Sequence, residues 1–185
     1  MKHILPILTL TTLAAAASAQ SAAAPAGLSY NRVSVSRQGQ NNSVSASALL
    51  GGTNVLATAS SGNGYYSGTT FSLGYVFKNV AYGTDATVSI SSGNEYSNSA
   101  VSVNLRRALN EVYAGLEVSL GYSYAANSDT GYYYYGPYYD TTGTTGVVTA
   151  ELAYNVNKTW QVAVGLTNQN PSSDRVTTVS VRHNF

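Results

Sequence analysis

Apolar and polar residues alternate with a period of two along most of this chain. Phe71, Leu73, Tyr75 and Phe77 share one face, with Ser72, Gly74 and Val76 opposite. Val80, Tyr82, Ala86, Val88 and Ile90 continue the pattern, then Val101, Val103 and Leu105. The longest run is Val112, Ala114, Leu116, Val118, Leu120, Tyr122 and Tyr124, facing Tyr113, Gly115, Glu117, Ser119 and Gly121. Val148, Ala150, Leu152, Tyr154 and Val156 follow, then Trp160, Val162, Val164 and Leu166, and last Val179, Val181, His183 and Phe185. Alternation at two rather than 3.6 residues predicts strands that are apolar on one face and polar on the other.

Ten strands are predicted, at about 28–36, 43–50, 54–60, 69–77, 80–90, 99–106, 111–124, 147–156, 159–167 and 175–185. Short links at 51–54, 78–79, 107–110 and 155–158 alternate with longer polar ones at 37–42, 60–68, 91–98, 125–146 and 168–174. That rhythm predicts an up-and-down antiparallel barrel rather than a Greek-key sandwich. In lipid such a sheet must close, because water is absent to satisfy an open edge. The first strands alternate least clearly, so eight strands with an N-terminal segment is the alternative. Tyr75, Phe77, Tyr82, Tyr154, Trp160 and Phe185 fall near the short links, and Tyr122 and Tyr124, with Tyr65-Tyr66 as further candidates, near the long ones. Two aromatic belts are expected of a transmembrane barrel. Leu116 and Val164 are expected near mid-membrane.

The N terminus reads differently. Lys2 and His3 precede an apolar stretch from Ile4 to Ala17, and Ala17-Ser18-Ala19 matches a cleavage site, so residues 1–19 read as a signal peptide. The stretch is short for a membrane-spanning helix and contains Pro6. Residues 20–27 read as a linker and 28–185 as the barrel domain. After cleavage of Lys2, eight basic residues face eight acidic ones, so no basic stripe for nucleic acid is expected. With no Cys, thiolate chemistry and disulfides are excluded.

The signal peptide, the hairpins and the ending Val179-x-Val181-x-His183-x-Phe185 resemble small bacterial outer-membrane β-barrels of the OmpA-like and opacity-protein type. The resemblance implies an integral outer-membrane location in a Gram-negative bacterium, with both termini periplasmic. It also implies contact with outer-membrane lipid and lipopolysaccharide, and Phe185 as part of a recognition element for the barrel assembly machinery. The fold alone selects no activity.

Within that frame few residues offer chemistry. The mature chain has one histidine, His183, which alternation places on the lipid face, so no nucleophile-base pair is assembled and no enzyme, metal or cofactor is expected. Glu117 and Glu151 fall on neighbouring strands and point inward, as does Arg182, and Arg32 if the first strand is read in that phase. These charges are expected either to pair and fill the lumen or to line a narrow, porin-like path. The loop 125–146 carries Tyr132, Tyr133, Tyr134, Tyr135, Tyr138 and Tyr139. Tyrosine joins an apolar face to a hydroxyl at low entropic cost. A surface adhesin or ligand-binding protein working through this loop is therefore the alternative to a structural or narrow-pore envelope barrel.

Overall fold

A computed structural model describes residues 28–39, 41–63, 68–93, 99–126, 144–170 and 175–185. The expected signal peptide and linker, Tyr65 and Tyr66, and the tyrosines of 132–139 lie outside them. Ten antiparallel strands form one closed barrel: β1 (Arg32–Gln38), β2 (Asn41–Leu49), β3 (Val55–Gly62), β4 (Gly68–Ala81), β5 (Thr84–Gly93), β6 (Ala100–Ala108), β7 (Leu116–Ala126), β8 (Thr144–Asn155), β9 (Trp160–Asn170) and β10 (Arg175–Asn184). Each strand pairs with its neighbours in sequence, and β1 closes the ring against β10 from Arg32↔Asn184 to Gln38↔Thr178. The expectation of ten strands in up-and-down order therefore holds, and the eight-strand alternative does not.

The two ends of the barrel differ. One carries the start of β1, the finish of β10 and the connections 50–54, 82–83, 109–115 and 156–159, and is called the turn end here. The opposite, loop end carries the remaining connections. Three expected boundaries are corrected. β4 runs on to Ala81, so Lys78-Asn79 is not a turn. Asn79 sits instead in a register irregularity between Phe77 and Ala81, with φ of 53°, and its Oδ1 accepts a hydrogen bond from the Gly83 amide at 3.0 Å. The hairpin turns at Tyr82-Gly83, both left-handed at φ of 48° and 74°. That pair of signs belongs to the tight turn whose twist matches the flanking strands, and glycine at the second position relieves it. The second correction is at 37–42: β1 extends to Gln38 and β2 begins at Asn41, so residues 39–40 alone join them. The third is at 111–115, read as strand. Asn110 Oδ1 accepts from the Gly115 amide at 3.0 Å and holds this stretch as a turn.

Ladder partners share a face, so the register fixes inside and outside for the whole ring. Val35, Val44, Leu73, Ile90, Val103, Leu120, Leu152, Val164 and Val179 all point outward and are all exposed, Ile90 by 61%. Leu116, expected near mid-membrane, instead begins β7 opposite Tyr154, close to the turn end, and the mid-strand position is taken by Leu120, paired with Leu105 and Ala150. Val164, between Leu152 and Val179, is mid-strand. Aromatic side chains meet on the outer face near the turn end: Tyr75 with Phe77 at 4.9 Å, Tyr113 with Tyr154 at 5.7 Å, and Trp160 edge-on to His183 at 4.9 Å. From Leu116 to Tyr124, eight steps of about 3.3 Å tilted by roughly 40° rise ~20 Å along the axis, comparable to the ~25 Å apolar band of membrane barrels.

Candidate functional site: the lumen and its closed end

The inward positions divide the lumen into two halves. Toward the loop end they are small and polar. Ser36 donates to Ser180 at 3.1 Å, and Ser102 and Ser123 hydroxyls lie 2.8 Å apart. Gly121 of β7 faces the same space, where an added Cβ would collide with Thr149 Oγ1 and reach Asn104 Nδ2 at 3.0 Å. Small side chains leave room that water can occupy.

Toward the turn end the lumen is filled by charge. The register brings the participants together: Asp85 lies opposite Arg106, Arg182 opposite Gln161, and Gln161 opposite Asn155. A hydrogen-bonded chain runs through them. Arg106 donates to Glu117 Oε2 at 3.0 Å, and Asn155 donates to Glu117 Oε1 at 3.0 Å. Gln161 donates to Asn155 Oδ1 at 2.9 Å, and Arg182 donates to Gln161 Oε1 at 3.1 Å. Arg182 then grips Glu151 with both guanidinium nitrogens, NH1 to Oε1 at 2.7 Å and NH2 to Oε2. Such two-point contact is the strong form of an arginine-carboxylate pair. Glu117 is 4% exposed and Gln161 1%, with Arg106 and Arg182 also buried. Side chains lining a wide aqueous pore would not be so dry.

The segment before β1 enters the same space. Ser47 of β2 donates to the Tyr30 carbonyl at 2.7 Å, anchoring it near its own strand. The Tyr30 hydroxyl donates to Asp85 Oδ2 at 2.8 Å, and Arg106 NH1 donates to the Ser29 carbonyl at 3.0 Å. The Arg106 guanidinium also lies 4.9 Å from the centre of the Tyr30 ring, within the range of a cation-π contact. Burial, followed by the hydrogen bond to Asp85, raises the Tyr30 hydroxyl above its ordinary pKa and keeps it protonated.

All four lumen charges named from the sequence lie in this half. Glu151 and Arg182 are brought into direct contact, while Glu117 pairs with Arg106, a residue the alternation had not singled out. Arg32 projects inward with its NH1 buried and without a hydrogen bond. The charges acting on it are those of Arg106 and Arg182 and of the two glutamates. Asp85 and Tyr30 were also missed. Asp85 could have been found by continuing the inward phase of β5 from Ser91 and Ser89, and Arg106 as the inward neighbour of Leu105. Tyr30 precedes the strands, so no periodicity indicates it. Phe185 follows β10, half-buried, and its amide donates to the Asn31 carbonyl at 3.1 Å.

Comparison with known proteins adds architecture alone. No family model matches the sequence, and no curated protein matches it. Among solved structures the chain is similar to a NanC porin, with 8% identity and a TM-score of 0.49 over 83% of this chain and 98% of that one. It is also similar to the KdgM porin, with 18% identity and a TM-score of 0.47 over 85% and 99%. A structure of that porin in complex with disordered oligogalacturonate gives 17% identity and a TM-score of 0.44 over 85% and 99%. At these identities no function passes from them to this chain, and its topology rests on its own strand pairing.

Proposed function

We propose that the protein is an integral outer-membrane β-barrel of the cell envelope, non-enzymatic, with a polar lumen narrowed at the turn end to a small or closed path. The observation that carries this reading is the inversion of polarity. Large outward side chains are apolar and exposed on every strand except β3, whose outward positions are mostly small, while charged and amide side chains are buried inside the ring. A water-soluble barrel would lose stability from so much wetted apolar surface, whereas lipid covers it without cost. The aromatic contacts near the turn end support an interface there, and the short links at that end support a periplasmic orientation for both termini. Outer-membrane lipid and lipopolysaccharide are the partners this wall would meet. Phe185, ending the closing strand, would serve recognition by the barrel assembly machinery.

Planar-bilayer conductance of the refolded mature protein, with and without residues 127–143, tests the reading. Small or absent current in both forms supports the narrowed lumen. A large, ion-conducting channel in the full-length protein would contradict it. Specific binding to a surface, lost with the loop, would move the working part to the tyrosines of 132–139 and favour the adhesin.

A further inference from the structure

We propose that residues 28–31 form a strap that shuts the turn end of the lumen, with Tyr30 as its stopper and Asp85 and Arg106 as its latch. This rests on the reading of the chain as a membrane barrel with a polar lumen, and adds to it the element that closes that lumen.

The ring order supplies the first reason. β6 is the fifth strand from β1 in either direction, so it stands on the opposite wall. A segment that merely led into β1 would touch β1, β2 and β10. Besides the Ser47 contact on β2, Ser29 and Tyr30 are held by Asp85 of β5 and Arg106 of β6. The segment therefore extends into the lumen and meets side chains reaching from the far side.

The second reason is how the stopper is held. Tyr30 is only 6% exposed although it belongs to no strand. Its ring, hydroxyl and carbonyl each have a partner from a different strand: Arg106 on β6, Asp85 on β5 and Ser47 on β2. Asp85 is itself positioned from behind, since its Oδ1 accepts from the Asn79 amide at 2.8 Å beside the Tyr82-Gly83 turn. Arg106 is positioned likewise by Glu117. The latch is thus built into the wall and the strap is the attached part.

The third reason is covalent freedom. The strap is held at its base, where Ser47 donates to the Tyr30 carbonyl, the Leu49 amide to Asn31 Oδ1 and the Phe185 amide to the Asn31 carbonyl. It has no ladder partners of its own, whereas Asp85 and Arg106 sit in strands paired to each other. Swinging Ser29 and the Tyr30 ring away from Asp85 and Arg106 breaks two side-chain hydrogen bonds and a ring contact, leaves the Ser47 bond to the Tyr30 carbonyl at the base, and unpairs no strand. Motion of the strap can therefore open the turn end while the barrel stays closed as a sheet.

The test is single-channel recording of refolded full-length mature protein, each variant first confirmed as folded by heat-modifiable migration on SDS gels. Tyr30→Ala empties the stopper's place and is expected to raise mean conductance roughly tenfold, because a small barrel is filled by its own side chains. Tyr30→Phe keeps the ring and volume and loses only the hydroxyl. It is expected to leave the open-channel conductance of rare wild-type openings unchanged while making them roughly fivefold more frequent, the loss of one hydrogen bond. Should Tyr30→Ala not fold, the Tyr30→Phe result decides. Glu151→Gln, which weakens the Arg182 pair without touching the strap, is expected to open the lumen much less than Tyr30→Ala.

Three results would overturn the proposal. One is a wild type that already conducts as freely as Tyr30→Ala. Another is a pair of folded Tyr30 variants that both remain as silent as wild type. The third is equal opening by Glu151→Gln, which would make the wall side chains the closure. Failure of the barrel reading would look different, as protein that never becomes heat-modifiable or membrane-embedded, and the strap would fall with it.

Discussion

Removing Glu117 is the perturbation that most directly measures what the lumen network contributes. Its carboxylate accepts from Arg106 and from Asn155, and the side chains of the ion pair are 9% and 5% exposed for Arg106 and Glu117. Burial this deep leaves little solvent to screen the charge or replace the bonds. Glu117→Ala strands the Arg106 cation and the Asn155 amide together, and breaking a buried pair from one side costs about 3–5 kcal/mol. Arg106 keeps the Ser29 carbonyl and the Tyr30 ring, which favours the lower part of that range. Arg106→Ala should cost a similar amount. The double variant leaves no uncompensated charge, so its cost should fall at least ~2 kcal/mol short of the sum. Urea unfolding in detergent, followed through the fluorescence of the single tryptophan, Trp160, reads these differences, because that ring is exposed on the outer face near the turn end. Additive costs, with no coupling between Glu117 and Arg106, would refute the claim that the pair acts as a unit.

Other outcomes follow from the same geometry. Leu120→Arg and Val164→Arg, on the outer wall at mid-strand, should each destabilise by ~2–4 kcal/mol in lipid, and inward Ser119→Arg less; equal costs by urea titration in vesicles would invalidate the strand phase. Phe185→Ser should reduce the amount of protein inserted in cells while changing the urea midpoint of already folded protein little, and unchanged insertion would remove the assembly role. Tyr30 holds its proton more tightly when folded than its unfolded pKa of about 10, so its contribution is complete below that pH and is lost as pH rises beyond it. Wild type should therefore lose more stability than Tyr30→Phe between neutral pH and pH above ~10, and parallel curves for the two proteins would argue against the buried, hydrogen-bonded hydroxyl.

The strands were legible because an apolar outer wall and a polar lumen impose the same two-residue period on most of them. That period placed Glu117, Glu151 and Arg182 inside without knowledge of any contact. It was least informative where side chains are small: in β2 and β3 the two faces differ mostly by Ala on one and Ser or Thr on the other, so their phase is weakly marked. Boundaries failed where a polar side chain replaces a backbone partner. Asn79 reads as a turn residue, yet it adopts a left-handed φ inside β4 and caps the real turn at Gly83. Arg106 lay at the very end of the strand expected at 99–106, next to a turn expected from Arg107, and β6 in fact continues to Ala108, which sets Arg106 firmly in the wall. The latch of Asp85 and Arg106 on the strap joins opposite walls of the ring. Such contacts depend on closure and on which end of the barrel the chain enters, and no local pattern encodes them.

The central claim is that the outward apolar surface belongs in the outer membrane of a closed, ten-stranded barrel. Fractionation of cells expressing the full chain, with the outer-membrane fraction run unboiled and boiled on SDS gels, tests it most directly. The account predicts recovery in the outer membrane and a band that shifts on boiling, because a closed barrel with no free edge resists detergent until heated. Recovery of the mature chain in the soluble periplasm, with identical migration before and after boiling, would contradict it.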